Sequence, residues 1–357
     1  MRWRPLLVGA LGLFVVGHGA SHALAEPRVS EVQSAFSRTA TRGRIRPRTT
    51  AEPVVIVAID GVRPREVFEG EDPARVQGHA PRSGRELLPN LYALADAGRL
   101  IGSDEAVVAS GPAYVSLPGY TEMFTGSPSR CASNECGRTR APTLVDAAVL
   151  AGLRASVVTS WERICLAAAQ DPELLDASCG RHEGHLDSEG DTLIESLLER
   201  DAALSPSPGA ADYRPDWATA ELAIRVLEAK RPDVLFVGLG DTDELAHAGN
   251  YAAYVTALGR ADAFLGALRA TLAAEGERGR NTTVMVVTDH GRSYGFRDHG
   301  AAFPESRFGF LLVSGPRVPR GEGPGAEVTL GDVGRGAGRL LGVGGEDSPF
   351  TTWLSGR

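Results

Sequence analysis

The stretch "PVVIVAID", residues 53–60, is a run of β-branched and apolar side chains without polar alternation, and it stops on an acid. A strand with one wet face alternates, whereas an unbroken apolar run suits a strand covered on both faces, as in a parallel sheet between helix layers. Helical spacing follows in "LPNLYALADAG" (88–98), where Leu91, Leu94 and Ala95 share a face and Gly98 is a stop signal. The alternation then repeats. "TLVDAAVLAGL" leads into the strand "RASVVTS", and "WATAELAIRVLEAK" into "VLFVGLGD". The long helix "YAAYVTALGRADAFLGALRATLAAE" leads into "TTVMVVTD"; "FGFLLVSG" is a further strand and "LGDVGRGAGRLLGV" a closing helix. The pattern predicts an α/β fold, a doubly wound and mostly parallel sheet with helices on both faces and right-handed crossovers. Two stretches break it: 61–87, and 165–215, which is rich in Asp, Gly, Ser and Pro and reads as an insertion near the active face.

The N-terminal residues belong to a different class. Arg2 and Arg4 precede the apolar run "PLLVGALGLFVV", and "ALA" at 23–25 offers small residues for cleavage, so residues 1–25 read as a signal peptide and the protein as periplasmic or secreted. The run is short for a membrane span and no second one of spanning length exists, so no stable span is expected. Residues 26–52 are polar, Arg-rich and aperiodic, a flexible lead-in. Residues 53–357 are then read as a single domain. A formal net charge of -8 argues against a nucleic-acid backbone as a partner of the bulk surface. Lys230 is the sole lysine, which excludes Schiff-base or P-loop chemistry that needs one elsewhere. The 4 cysteines form two close pairs, Cys131 with Cys136 and Cys165 with Cys179. Two local disulfides are the economical reading in an exported chain; a four-cysteine zinc site is the alternative, without CxxC spacing to support it.

Three predicted strands run directly into acids: Asp60, then Asp241 and Asp243, then Asp289. In an open parallel sheet, ligands sit outside the carboxyl ends of the strands, so these carboxylates gather along one edge. A lone acid there is more often a turn residue, but histidines accompany these. Asp243 and His247 are four apart and share a helical face, His290 adjoins Asp289, and His299 follows in "FRDHG". This oxygen-and-nitrogen set suits two divalent metal ions, zinc first, with manganese or iron as alternatives. In "AYVSLPGYTEMFTG" (113–126), Ser116 stands at the mouth of the same edge. It is either the cap of a helix over 119–125 or a metal-activated nucleophile, and the roles are compatible because helix N-terminal amides also stabilise an anion.

"VVIVAIDGV", "LPNLYALADAG", "SLPGYTEMFTG", "DTDELAH", "TDHG" and "DHG", in this order, resemble the alkaline phosphatase superfamily, and within it the nucleotide pyrophosphatase/phosphodiesterase-like members. The resemblance implies an enzyme, a metal-dependent phosphoric ester hydrolase acting on a small-molecule phosphate ester, mono- or diester, through a covalent intermediate on Ser116. It implies one metal held by Asp60, Ser116, Asp289 and His290, and another held by Asp243, His247 and His299. It also implies an Asn after the Thr-Gly turn to hold a phosphoryl oxygen, which falls on Asn134 in "CASNEC"; a Cys131–Cys136 bridge would fix that loop. Arg163 in "SWERI" falls where some monoesterases offer a phosphate fork, but Trp161 replaces their lysine, which weakens a monoester assignment. Tyr120 departs from the formylglycine sulfatase pattern, which has Arg there. Sulfate esters, phosphonates, phosphomutase-type transfer, or a non-catalytic metal-binding relative are the alternatives. His182 and His185, an HxxH pair in the 165–215 stretch, read as solvent-facing loop residues.

Overall fold

The computed structural model describes residues 35–36, 52–210 and 212–356. The signal-peptide reading and most of the lead-in lie outside these residues. Ala35, Phe36 and Glu52 are the exceptions: Ala35 N–H donates to the Thr125 carbonyl at 3.2 Å, Phe36 is buried in the main core, and buried Glu52 accepts from the Thr283 hydroxyl at 3.0 Å.

Seven strands make the principal sheet: β1 (Val54–Ile59), β2 (Arg99–Ile101), β3 (Ala155–Thr159), β4 (Asp176–Cys179), β5 (Val234–Leu239), β6 (Thr283–Val287) and β7 (Leu311–Ser314). Their order is β2-β7-β6-β1-β5-β3-β4. β1 pairs in parallel with both β5 and β6, and β3 with β5 and β4, whereas β7 runs antiparallel to β6 and β2. The mostly parallel α/β sheet expected from the sequence is therefore present, with one reversed strand near the edge. Every residue of β1, β5 and β6 is buried, as the unbroken apolar runs require. Alternate residues of these strands feed two separate cores, Val54, Ile56 and Ala58 on one face and Val55, Val57 and Ile59 on the other.

The 165–215 stretch has regular structure of its own. It supplies edge strand β4, tied by the Cys165–Cys179 disulfide to the helix Ile164–Ala168, and then the helix Thr192–Ala202. The apolar pieces "VV" at 107–108 and "FG" at 308–309 join Val328–Thr329 in a small second sheet. Among the described residues, no helix is long and apolar enough to cross a membrane.

Sheet order places the site. The adjacent central strands β6, β1 and β5 are the three that end in acids, so Asp289, Asp60 and Asp243 leave the sheet side by side.

Candidate active site

Ser116 opens the helix Ser116–Thr125, whose cap position is Val115, without a side-chain cap bond. The serine hydroxyl is thus not a helix cap. It lies 3.4 Å from Asp60 Oδ1 and 3.3 Å from His290 Nε2, and the residue is buried. One turn on, Tyr120 donates its hydroxyl to the other oxygen, Asp60 Oδ2, at 3.1 Å. The helix can approach this closely because residue 119 is glycine: a Cβ there would meet the Asp289 carbonyl oxygen at 2.5 Å. Glu122, on the same helix, accepts from Ser110 N–H at 2.9 Å and Gly331 N–H at 3.2 Å, which anchors the helix to its neighbours.

Asp289 Oδ1 accepts the Gly61 N–H at 3.1 Å, while its Oδ2 is buried with no hydrogen-bond partner and lies 3.5 Å from His290 Nε2. His290 Nε2 is also 3.5 Å from Asp60 Oδ1. On the other side, His247 Nε2 lies 2.9 Å from His299 Nε2 and 3.2 Å from Asp243 Oδ2, and His299 Nε2 lies 3.7 Å from Asp243 Oδ1. The His290 and His299 rings stack with centroids 3.9 Å apart. Donor atoms of Asp243, His247 and His299 fall within 4.8 Å of one another, and so do those of Asp60, Asp243 and His290. The structure therefore brings together all seven residues that the sequence reading nominated as ligands.

The tautomers fix what this cluster wants. His290 Nδ1 is 2.8 Å from the Gly291 carbonyl and His299 Nδ1 is 3.0 Å from the Tyr114 carbonyl. A carbonyl only accepts, so each Nδ1 carries the proton, and in a neutral ring Nε2 is then a bare lone pair. Burial keeps both rings neutral, lowering His290 to about 4 and, with His290 beside it, His299 to about 3. Lone pairs of neutral imidazoles thus face carboxylate oxygens, an electron-rich arrangement that divalent cations satisfy. Burial and the neighbouring carboxylates agree with this: Asp60 is raised well above the usual carboxylate range by burial and Asp289, and Asp289 is raised to about 7 by burial and Asp243. Burial would raise Asp243 too, but the Arg292 guanidinium against it holds it well below that range.

Asn134 and Arg163 are placed less directly. Asn134 Oδ1 accepts the Leu117 N–H at 2.9 Å, so the loop closed by the Cys131–Cys136 disulfide reaches the first turn of the serine helix. Arg163 donates from Nε to the Asn134 carbonyl at 2.6 Å and from Nη2 to Glu135 at 3.2 Å, so its guanidinium braces that loop. Trp161 is half-buried against the core. Asp241 belongs to a neighbouring buried network, accepting from Tyr213 at 2.8 Å. His182 and His185 join no potential ligand cluster among the described residues.

Residues 195–302 match the family model of the metalloenzyme superfamily, a span that holds Asp243, His247, Asp289, His290 and His299. Over that span the chain is similar to the metalloenzyme superfamily. Solved structures share the fold at low identity. A proposed sulfatase from Bacteroides thetaiotaomicron aligns over 86% of this chain and 75% of its own, with 13% identity and a TM-score of 0.58. The phosphonate monoester hydrolase of Agrobacterium radiobacter aligns over 85% and 77%, with 15% identity and a TM-score of 0.51. The lipoteichoic acid synthase LtaP from Listeria monocytogenes aligns over 85% and 76%, with 13% identity and a TM-score of 0.51. No curated protein matches the sequence.

Two residues of the site escaped the sequence reading. Tyr120 carried a signal, its spacing of four from Ser116, which places both hydroxyls on one helix face. Arg292 carried none beyond its place after "DHG", since only the fold shows which carboxylate it meets.

Proposed function

We propose that the protein is an exported two-metal hydrolase of phosphodiesters that works through a covalent intermediate on Ser116. The observation that carries this is the approach of Ser116 Oγ to Asp60 Oδ1 and His290 Nε2, 3.4 and 3.3 Å away, in a cluster of lone pairs that has the donor set of a dinuclear site. Asp60, Ser116, Asp289 and His290 would hold one divalent ion, and Asp243, His247 and His299 the other. Zinc suits this nitrogen-and-oxygen set best, with manganese or iron as alternatives. Such ions lower the pKa of a bound hydroxyl and neutralise charge on an oxygen.

Ser116 Oγ gives its proton to solvent and forms a bond to phosphorus, while the bond to the ester oxygen opposite breaks and that oxygen leaves with the bonding pair and takes a proton from solvent. Water then cleaves the phosphoseryl ester and restores the hydroxyl. Asn134, whose carbonyl oxygen is taken by Leu117 N–H, presents its NH2 end to a non-bridging phosphoryl oxygen. A diester fits better than a monoester because Arg163 is engaged by Asn134 and Glu135 and is not a ready fork for a second negative charge.

The test is kcat/KM on aryl phosphodiester, aryl phosphate, aryl phosphonate monoester and aryl sulfate, with metal content measured on the same sample. The expected result is two divalent ions per chain and the highest value for a diester. Highest activity on the sulfate would overturn the phosphodiester assignment. Two bound ions without turnover on any of the four would favour a binding protein on this scaffold.

A further inference from the structure

Arg292 is the buried cation of the site, with its side chain fully enclosed. Its Nε donates to the Phe296 carbonyl at 2.7 Å, one Nη2 bond goes to the Arg297 carbonyl at 2.6 Å, and Nη1 reaches Asp243 Oδ1. Both carbonyls belong to the loop that continues through Asp298 to His299. That loop is held hard. Phe296 is buried at a φ of 79°, a conformation a bulky residue rarely adopts, with Tyr251 and Tyr254 edge-on at 5.2 and 5.0 Å and the Arg63 guanidinium 5.2 Å over its ring. From the opposite side, Gly61 makes room: at a φ of 63°, its missing Cβ would meet Asp243 Oδ1 at 2.4 Å and Arg292 Nη1 at 2.6 Å.

Among the described residues, Asp243 is the one carboxylate whose oxygens reach both groups of converging donors. Left alone, it could bridge two ions or bind one through both oxygens. We infer that Arg292 is a positioning residue that occupies Oδ1 of Asp243, so that the carboxylate offers only Oδ2, to the His247–His299 pair, and does not bridge to Asp60 and His290. An ion held by His247 and His299 would then receive a single oxygen from Asp243. The inference rests on the two-metal reading, and the experiment separates the two.

Mn2+ binding to the full chain is titrated at equilibrium, and the loaded protein is examined by electron paramagnetic resonance for exchange coupling between the ions. If the wild-type chain binds no Mn2+, the two-metal reading fails, and this inference with it. If it binds two, Arg292→Met is expected to loosen one site by about 10–100-fold while leaving the other within about threefold, and to add the coupling expected of a carboxylate-bridged pair. Arg292→Lys keeps the charge but not the fork, and Gly61→Ala displaces the pair without deleting it. Both should loosen the same site, and they decide the matter if Arg292→Met fails to fold. Unchanged affinities, tighter binding from loss of a rival cation, or equal weakening of both sites would each overturn the inference.

Discussion

Replacing Gly119 by alanine tests how the serine is placed. In a helix interior this change ordinarily stabilises by about 0.5–1 kcal/mol, because glycine loses more backbone freedom on folding. Here the new Cβ would lie 2.5 Å from the Asp289 carbonyl oxygen, with the Asp289 carbonyl carbon and Cβ each at 3.2 Å. Ordinary contact begins at 3.4 Å, so a gap of about 0.9 Å must open between the helix and the end of β6. The neighbour is backbone that also carries Asp289 and His290, so it cannot swing aside like a flexible side chain. Ser116 is three residues earlier on the same helix and moves with it, away from contacts now at 3.4 and 3.3 Å. Misplacing a reacting group by about 1 Å can lower rates by about 10²-fold, and overpacking of this kind destabilises by about 1–3 kcal/mol. The expected result is a loss of about 10²-fold in kcat/KM on an aryl phosphodiester, in a protein that still folds. Gly259→Ala is the control: it lies in the helix Tyr251–Ala274 and its Cβ meets nothing within 4 Å. It should raise Tm by about 1–2 °C with kcat/KM unchanged. A Gly119→Ala enzyme with wild-type kcat/KM would refute the close-approach argument.

Ser116→Ala should abolish turnover while metal content persists, since carboxylates and imidazoles remain as ligands; near-normal activity would remove the covalent mechanism. Chelation should remove activity, and restoration by Zn2+ or Mn2+, measured separately, identifies the working ion. Exchanging Cys131 and Cys136 for serine should lower stability by about 2 kcal/mol in chemical denaturation, as expected for so short a loop. It should also lower kcat/KM about tenfold if Asn134 acts on the phosphoryl group, and an unchanged kcat/KM would argue against that role. Asp216 is raised to about 7 by burial and by Asp241. The folded chain therefore binds a proton there that the unfolded chain has released above about 4, so this contribution is present below that pH and stability falls as pH rises towards 7. Asp216→Asn, in denaturation curves at pH 4 to 8, should flatten that slope; an unaltered slope would assign it to other groups.

The sequence by itself determined the element order and the chemistry of the donors. Runs such as "VVIVAI" and "VMVV" have no polar residue to face water, so they read as strands covered on both sides, and the acids after them had to emerge at the sheet's carboxyl edge. Asp243 and His247 were legible as a pair because helical spacing is local. What local spacing cannot encode is which strands lie next to one another. β6, β1 and β5 are neighbours only through crossovers that span most of the chain, and that adjacency gathers Asp289, Asp60 and Asp243. The same holds for the reversal of β7 and for the edge strand β4 within the 165–215 stretch, whose pairing is set by long-range contacts rather than by composition. Arg292 shows the limit most sharply: sequence places it beside His290, but its function depends on meeting a carboxylate 49 positions away and a glycine that leaves room for both. Periodicity and residue chemistry fix what each segment can be, while shape and proximity across the sheet decide which groups share a charge, a ligand or a proton.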